Sequence, residues 1–324
     1  MIGVERMKSF YIIANPHANY GKAQKDWQKV KKSLDDQKID YRSQETTKVG
    51  DAKEYSMSFL HQLKYADYKR YVIIVIGGTG TLNEVLSGIK EADVVNLPIG
   101  FISVGQHHQF ADEIGIARNP LIALKQILET TEPEKYSLVQ YYETNHEETG
   151  YFLDSYSIGL GAMLANIRSR EKHHWLRNHI KWLADFINLC KAYYNSLDSF
   201  KVTLRIGHKY KFYKRAFIVN LRNHAHESDF TSDHDPLDLV IIDRVNIFTF
   251  MIFLLISRFS DPLKLPFVHQ FRANNMHLTV NSLEQTQIDS REVGGKYNDL
   301  YLKMVDYPLW VNIDSVSPAD RRKE

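Results

Sequence analysis

Over the first 128 residues, short apolar runs alternate with longer stretches in which apolar positions recur at helical spacing. Residues 10–14, 41–44, 71–76 and 99–103 predict strands, and residues 25–37, 52–65, 83–92 and 119–128 predict helices. Strand and helix in regular alternation predict a parallel sheet covered by helices, because each parallel connection must carry the chain back across a face. After Glu132-Pro133-Glu134 the character changes. Residues 136–142, 151–157, 201–205, 210–219, 237–242, 275–280 and 301–305 are rich in β-branched and aromatic side chains, and many of them alternate, which predicts antiparallel strands. Helical insertions are expected at 168–195 and 244–258. The expected organisation is an α/β nucleotide-binding domain over residues 1–132 and an antiparallel β-sandwich domain over 133–324, with the acidic, proline-bearing stretch 129–135 as the boundary.

Composition narrows this picture only slightly. The 324 residues are 44% hydrophobic, enough to bury a sizeable core. A net charge of +2 is too mild to suggest nucleic-acid binding, so any basic surface must be local. The single cysteine, Cys190, cannot form an internal disulfide, and residues 1–8 lack an apolar core of signal-peptide length. The expected location is the cytoplasm. The longest apolar run, residues 245–257, falls short of the ~20 needed to cross a bilayer and reads as a buried or interface-lying helix.

The most informative stretch is Tyr71 to Val85, where an apolar strand runs into Gly77-Gly78-Thr79-Gly80 and then a helix. Glycines let backbone N–H groups approach an anion closely, and the helix N-terminus favours its charge. The layout therefore suggests a phosphate cradle; a turn whose glycines serve only packing is the plainer alternative. A dinucleotide fingerprint fits poorly because Asn83 stands at its third glycine, and the spacing of a P-loop is absent.

Gly77-Gly78-Thr79-Gly80-Thr81-Leu82-Asn83-Glu84-Val85 resembles the Gly-Gly-Asp-Gly-Thr-Leu-Asn-Glu-Val signature of the diacylglycerol kinase catalytic-domain family, the soluble bacterial lipid kinases, with Thr79 in place of aspartate. NAD kinases share a similar loop in a related two-domain design. Asn15-Pro16 with Gly21-Lys22 resembles the family's first nucleotide loop, and Thr46 to Ala52 its threonine-bearing segment. Residues 99–112 resemble Pro-x-Gly-Thr-x-Asn-Asp-Phe-Ala-Arg, with Gln106, His108, Gln109 and Asp112 at substituted positions. The resemblance implies ATP and Mg²⁺ as cofactors, with the nucleotide between the two domains. Its implied nucleotide contacts are Asn15, Pro16, Thr46, Gly77, Gly78, Thr79, Gly80, Thr81, Asn83 and Gln106.

Residues 233–241 resemble Leu-Asp-Asp-Gly-x-Leu-Asp-x-x-Ile, a structural Mg²⁺ segment; the implied metal set is Ser232, Asp235 and Leu237, with His234 at the family's aspartate in the ungapped alignment. His224, His226, Asp229 and Asp233 equally allow a transition-metal site or a solvated polar loop. Ser290-Arg291-Glu292-Val293-Gly294-Gly295 resembles Asp-Gly-Glu-x-Gly-Gly, which makes Glu292 the implied base for the lipid hydroxyl. Asp289 is a weaker substitute, and a charged hairpin turn is the plainer reading. Basic residues around Trp175 and Trp182 in 168–182 could lie on an anionic membrane.

Two functions follow from the resemblance. The first is a lipid kinase phosphorylating an acceptor such as diacylglycerol, with a lipid at the membrane surface and a nucleotide as partners and no nucleic acid. The second is a pseudokinase of the same fold kept for binding a nucleotide, a lipid or a partner, because Thr79, Gln109, His234 and Ser290 all replace groups that handle metal or charge. Pairing of two chains is undecided by the sequence.

Overall fold

A computed structural model describes residues 8–94, 97–105, 108–162, 193, 199–223, 237–256, 265–289 and 291–322. The chain forms two compact units: Met1–Leu138, Thr149–Leu153 and Val305–Glu324 make the first, and Val139–Glu148 with Asp154–Met304 the second. A single cut at residue 132 therefore does not describe the chain. Its last segment returns to the first unit, where the Trp310 N–H bonds Ile99 O at 2.8 Å and the indole N–H bonds Ile127 O at 3.1 Å.

In the first unit the elements run β1 (Ser9–Ala14), α1 (Ala23–Asp36), β2 (Tyr41–Glu45), α2 (Asp51–Gln62), β3 (Tyr71–Gly77), α3 (Thr79–Glu91), β4 (Ile99–Ser103), α4 (Gln109–Glu113) and α5 (Pro120–Leu128). β1 pairs in parallel with β2 and β3, and β3 pairs in parallel with β4, giving the order β4-β3-β1-β2. Every residue from Val72 to Ile76 is at most 1% exposed, as expected of a strand covered on both faces. α1 buries Trp27, Val30 and Leu34, the three- and four-residue spacing of one helical stripe. α2 and α3 approach closely at Gly88, where a Cβ would lie 2.4 Å from Lys53 O.

β5 (Glu134–Glu143) and β6 (Glu148–Phe152) each contribute residues to both units. The second unit then contains β7 (Ser155–Gly159), β8 (Phe200–Ile206), β9 (Lys209–Asn223), β10 (Leu237–Asp243), α6 (Ile247–Ile256), β11 (Val268–Ala273), β12 (Asn275–Ile288) and most of β13 (Arg291–Leu309). Antiparallel ladders join β11-β10-β9-β7-β12-β13, and β8 also pairs with β9 and β12. Through their shared strands these ladders connect as one large hydrogen-bonded antiparallel sheet. Residues 151–157 are two strands rather than one, and β12 and β13 extend well past the expected 275–280 and 301–305. Their extensions carry polar residues on both faces, so apolar periodicity could not reveal them. α6 fulfils the expected helix at 244–258, whereas the insertion at 168–195, Tyr193 apart, lies outside the described residues.

Candidate functional site

Parallel strands of the first unit end together: Ala14 pairs with Glu45 and Ile76, and Gly77 pairs with Ser103. From β1 the chain moves out to β2 and then crosses back to β3. The order therefore reverses between β1 and β3, where open α/β sheets present a ligand crevice beyond the strand ends. Asn15 follows β1 directly. Its amide Nδ2 donates to Thr81 Oγ1 at 3.1 Å and its Oδ1 accepts from His17 N at 3.1 Å, tying the first loop to the start of α3. Thr46 holds the end of β2 beside it, donating its N–H to Ala14 O at 2.8 Å.

The glycine segment is tighter than a free loop. Gly78 is the N-cap of α3 in extended conformation, with φ −93° and ψ 177°, and Thr79 already belongs to the helix. The two adjacent glycines serve different ends. A Cβ on Gly77 would lie 2.7 Å from Thr81 Oγ1 and 2.8 Å from Thr81 Cβ, so Gly77 is required by packing. At Gly78 a Cβ would meet only Gly105 Cα, at 3.7 Å, an ordinary contact. Gly105 belongs to the segment after β4, so Gly78 faces the space beside that segment with its N–H at the positive end of a 13-residue helix.

Two carboxylates beside this edge, which the sequence reading passed over, are taken up by backbone donors. Asp51 Oδ2 accepts from Thr47 N at 2.7 Å, Thr47 Oγ1 at 2.8 Å and Lys48 N at 3.0 Å. The Thr47 N–H, then the Lys48 N–H and the Thr47 hydroxyl, hold its pKa below the ordinary carboxylate value. Glu84 receives the Gly50 N–H on both oxygens at 3.1 Å. Turn-forming Thr47-Lys48-Val49-Gly50-Asp51 carries the signal for the first of these. Ser103 Oγ and His108 Nδ1 lie 2.9 Å apart and bracket the segment that contains Gly105. Thr79 and Asn83 are 7% and 6% exposed, and Asn83 Nδ2 donates to Tyr151 O, which gives that amide a structural task.

In the second unit, Glu292 lies in β13 opposite Gln287 of β12 and is part-buried. The register shifts between Thr286 and Gln287, so Val293 is the extra residue of a bulge that Gly294, at φ 90°, completes. Gly294 and Gly295 are thus strand residues rather than the end of a hairpin turn. Glu292, Gln287, Ser157 and Asn220 are successive register partners across four strands, and Ser157 Oγ donates to Asn220 Oδ1 at 2.9 Å. Asp289 has a different role from the one expected. It is 6% exposed at φ 51°, and its Oδ1 accepts from Asp154 N at 2.8 Å and Ser155 N at 3.2 Å, which fixes the start of β7. Lys296 is pressed below its ordinary pKa by burial, against the opposing pull of Glu148 and Glu143.

Residues 9–140 match the family described as the diacylglycerol kinase catalytic domain. The match spans 132 of the 324 residues, all of them in the first half of the chain. A Bacillus subtilis protein named "Putative lipid kinase YtlR" is 30% identical over 116 residues, and a B. subtilis "Diacylglycerol kinase" is 32% identical over 118. Each alignment covers 36% of this chain and 36% of the relative, so the chain matches about a third of the length of these curated proteins. The crystal structure of a "putative diacylglycerol kinase" from Bacillus anthracis strain Sterne superposes with a TM-score of 0.63, covering 96% of this chain and 99% of that one. At 18% identity that likeness establishes the fold.

Of the nucleotide contacts expected for a diacylglycerol kinase domain, the structure brings Asn15, Thr46, Gly77, Gly78, Thr79, Gly80 and Thr81 to one sheet edge, with buried Pro16 next to Asn15. Gln106, Ser232 and Asp235 lie outside the described residues, as do His224, His226, Asp229, Asp233, His234 and Ser290. Leu237 opens β10 fully buried, paired with Asn223 and Ala273. Among the described residues no group of three or more His, Cys, Asp or Glu is arranged to hold a metal ion.

Proposed function

We propose that this protein is an ATP-dependent lipid kinase that phosphorylates a lipid hydroxyl such as that of diacylglycerol. The observation that carries the reading is the convergence of Asn15, Gly77, Gly78 and Thr81 at the strand-order reversal of a diacylglycerol kinase domain. ATP supplies the phosphoryl group. The backbone N–H groups at the head of α3 hold its phosphates, and Asn15 fixes the Thr81 end of that cradle. Glu292 accepts the proton of the attacking hydroxyl, a task suited to a part-buried carboxylate. Asp51 and Glu84 are engaged by backbone N–H groups, and Ser232 and Asp235, implied to hold Mg²⁺, lie outside the described residues.

A buried threonine at position 79, where the family carries aspartate, favours a second reading. In it the protein keeps the nucleotide cradle as a pseudokinase and has lost transfer. Nucleotide titration with and without Mg²⁺, run beside a transfer assay with diacylglycerol and a bacterial lipid extract, separates the two. Labelled lipid supports the kinase, metal-independent binding without labelled lipid supports the pseudokinase, and absence of nucleotide binding removes both.

A further inference from the structure

Residues 200–223 carry seven Lys or Arg and no Asp or Glu, in a chain whose net charge is only +2. They form β8, a turn at Gly207-His208, and β9. Near the turn, Tyr210 is 56% and Phe212 69% exposed, and the two rings lie parallel on the surface with centroids 6.4 Å apart. Lys209 and Lys211 alternate with them and so lie on the opposite strand face, the Lys211 ammonium 4.2 Å from the Phe271 ring centre; both are exposed at this narrow hairpin, as are Lys214 and Arg215 further along β9.

The stem of this hairpin is joined to the lead of α6. Arg244 N donates to Arg215 O at 2.7 Å, and Arg215 Nη2 donates to Arg244 O at 3.4 Å. α6 reads Ile-Phe-Thr-Phe-Met-Ile-Phe-Leu-Leu-Ile, without a charge. One side packs inward, with Phe250 and Phe253 against Phe217 and Val268. The other leaves Phe248 77% and Ile252 56% exposed, four residues apart on one helical face. A helix that is apolar all round normally buries all of itself, and this one does not. The acid at this end, Asp243, is paired with His269 at 2.9 Å.

We infer that the β8–β9 hairpin and the outer face of α6 dock this unit on an anionic lipid bilayer. Aromatic and aliphatic side chains enter the headgroup boundary while the lysines meet anionic headgroups, the combination that holds proteins at an interface. Ten residues of α6 cannot cross a bilayer, which takes about 20, so the contact is peripheral. A nucleic acid would use the cations and stack on the aromatic rings, but it would not cover an aliphatic helix face. This surface does not depend on which reaction the first unit performs.

The test is sedimentation of the full chain with vesicles of phosphatidylcholine alone and of phosphatidylcholine mixed with phosphatidylglycerol. Three variants accompany it: Lys209→Gln with Lys211→Gln and Lys214→Gln; Tyr210→Ser with Phe212→Ser; and Phe248→Ser with Ile252→Ser. The protein is expected to sediment with the anionic vesicles and to be released by salt. At about fivefold per cation, the triple lysine variant loses roughly a hundredfold in partitioning, and each apolar variant binds more weakly than the parent. Far-ultraviolet circular dichroism checks that these surface changes leave the fold intact. Failure of the parent to sediment with the anionic vesicles, or unchanged binding by the variants, would each overturn the inference.

Discussion

Gly77 and Gly78 are adjacent, yet substituting alanine at each should separate folding from ligand binding. In Gly77→Ala the new methyl meets the Thr81 side chain at 2.7–2.8 Å, and because one contact is to Thr81 Cβ a rotamer change cannot relieve it. Overpacking of this kind costs about 1–3 kcal/mol, and it also disturbs the 3.1 Å bond from Asn15 to Thr81. In Gly78→Ala the nearest atom is 3.7 Å away and the backbone, at φ −93°, suits alanine. Losing a glycine N-cap costs roughly 0.5 kcal/mol, about what is regained by restricting the unfolded chain. Stability should therefore change little. The methyl does, however, stand beside the N–H groups proposed to face phosphate; loss of one charge-assisted hydrogen bond, about 1.5–3 kcal/mol, weakens nucleotide binding roughly ten- to a hundredfold. Urea denaturation measures the first quantity and calorimetric titration with ATP the second. Unchanged ATP affinity in Gly78→Ala, with the fold intact, would refute the phosphate cradle and leave the glycines as packing residues.

Further substitutions test other parts of the structure. Asp289→Ala removes an acceptor of two backbone N–H groups at a left-handed position and should cost about 3 kcal/mol or more in urea denaturation, whereas Asp289→Asn, which tolerates that backbone, should cost about half as much. Gly88→Ala would gain about 1 kcal/mol of helix propensity. That methyl sits 2.4 Å from Lys53 O, so net destabilisation of about 1–2 kcal/mol is expected, read as a lowered midpoint. Asp51 has a folded pKa below its unfolded value, so its contribution to stability is present above about pH 4 and is lost as pH falls through the folded pKa. Asp51→Asn should accordingly be less stable than the parent at neutral pH and should show a shallower loss of stability on acidification.

The first unit was legible because β1, β3 and β4 are continuous apolar runs and α1 has a single buried stripe, although β2 (Tyr-Arg-Ser-Gln-Glu) is polar and mostly exposed; all four strand expectations agree with the structure to within a residue at either end. The helix after β3 begins four residues earlier than periodicity suggested. Thr79 and Gly80 carry no helical preference, and only the cap geometry at Gly78 reveals the start. The second unit was less legible. Residues 281–287 of β12 read Asn-Ser-Leu-Glu-Gln-Thr-Gln, and their place in the sheet comes from pairing with β7 and β13 rather than from local pattern. Site residues followed the same division. The glycines were evident as a motif, whereas the duties of Asp51, Glu84 and Asp289 rest on backbone donors from distant or turn segments. Return of the last twenty residues to the first unit depends on Tyr307 and Trp310 reaching Leu97 and Ile127, contacts that no linear pattern encodes.

The most direct measurement is transfer of labelled γ-phosphate from ATP to diacylglycerol presented in vesicles, comparing the parent protein with Glu292→Gln. A lipid kinase of the proposed kind gives a labelled lipid whose formation falls at least a hundredfold in the variant, within the range that proton transfer by a positioned side chain contributes. Labelled lipid formed equally well by Glu292→Gln would contradict the assignment of the base, and no labelled lipid from a parent protein that still binds ATP would contradict the kinase itself.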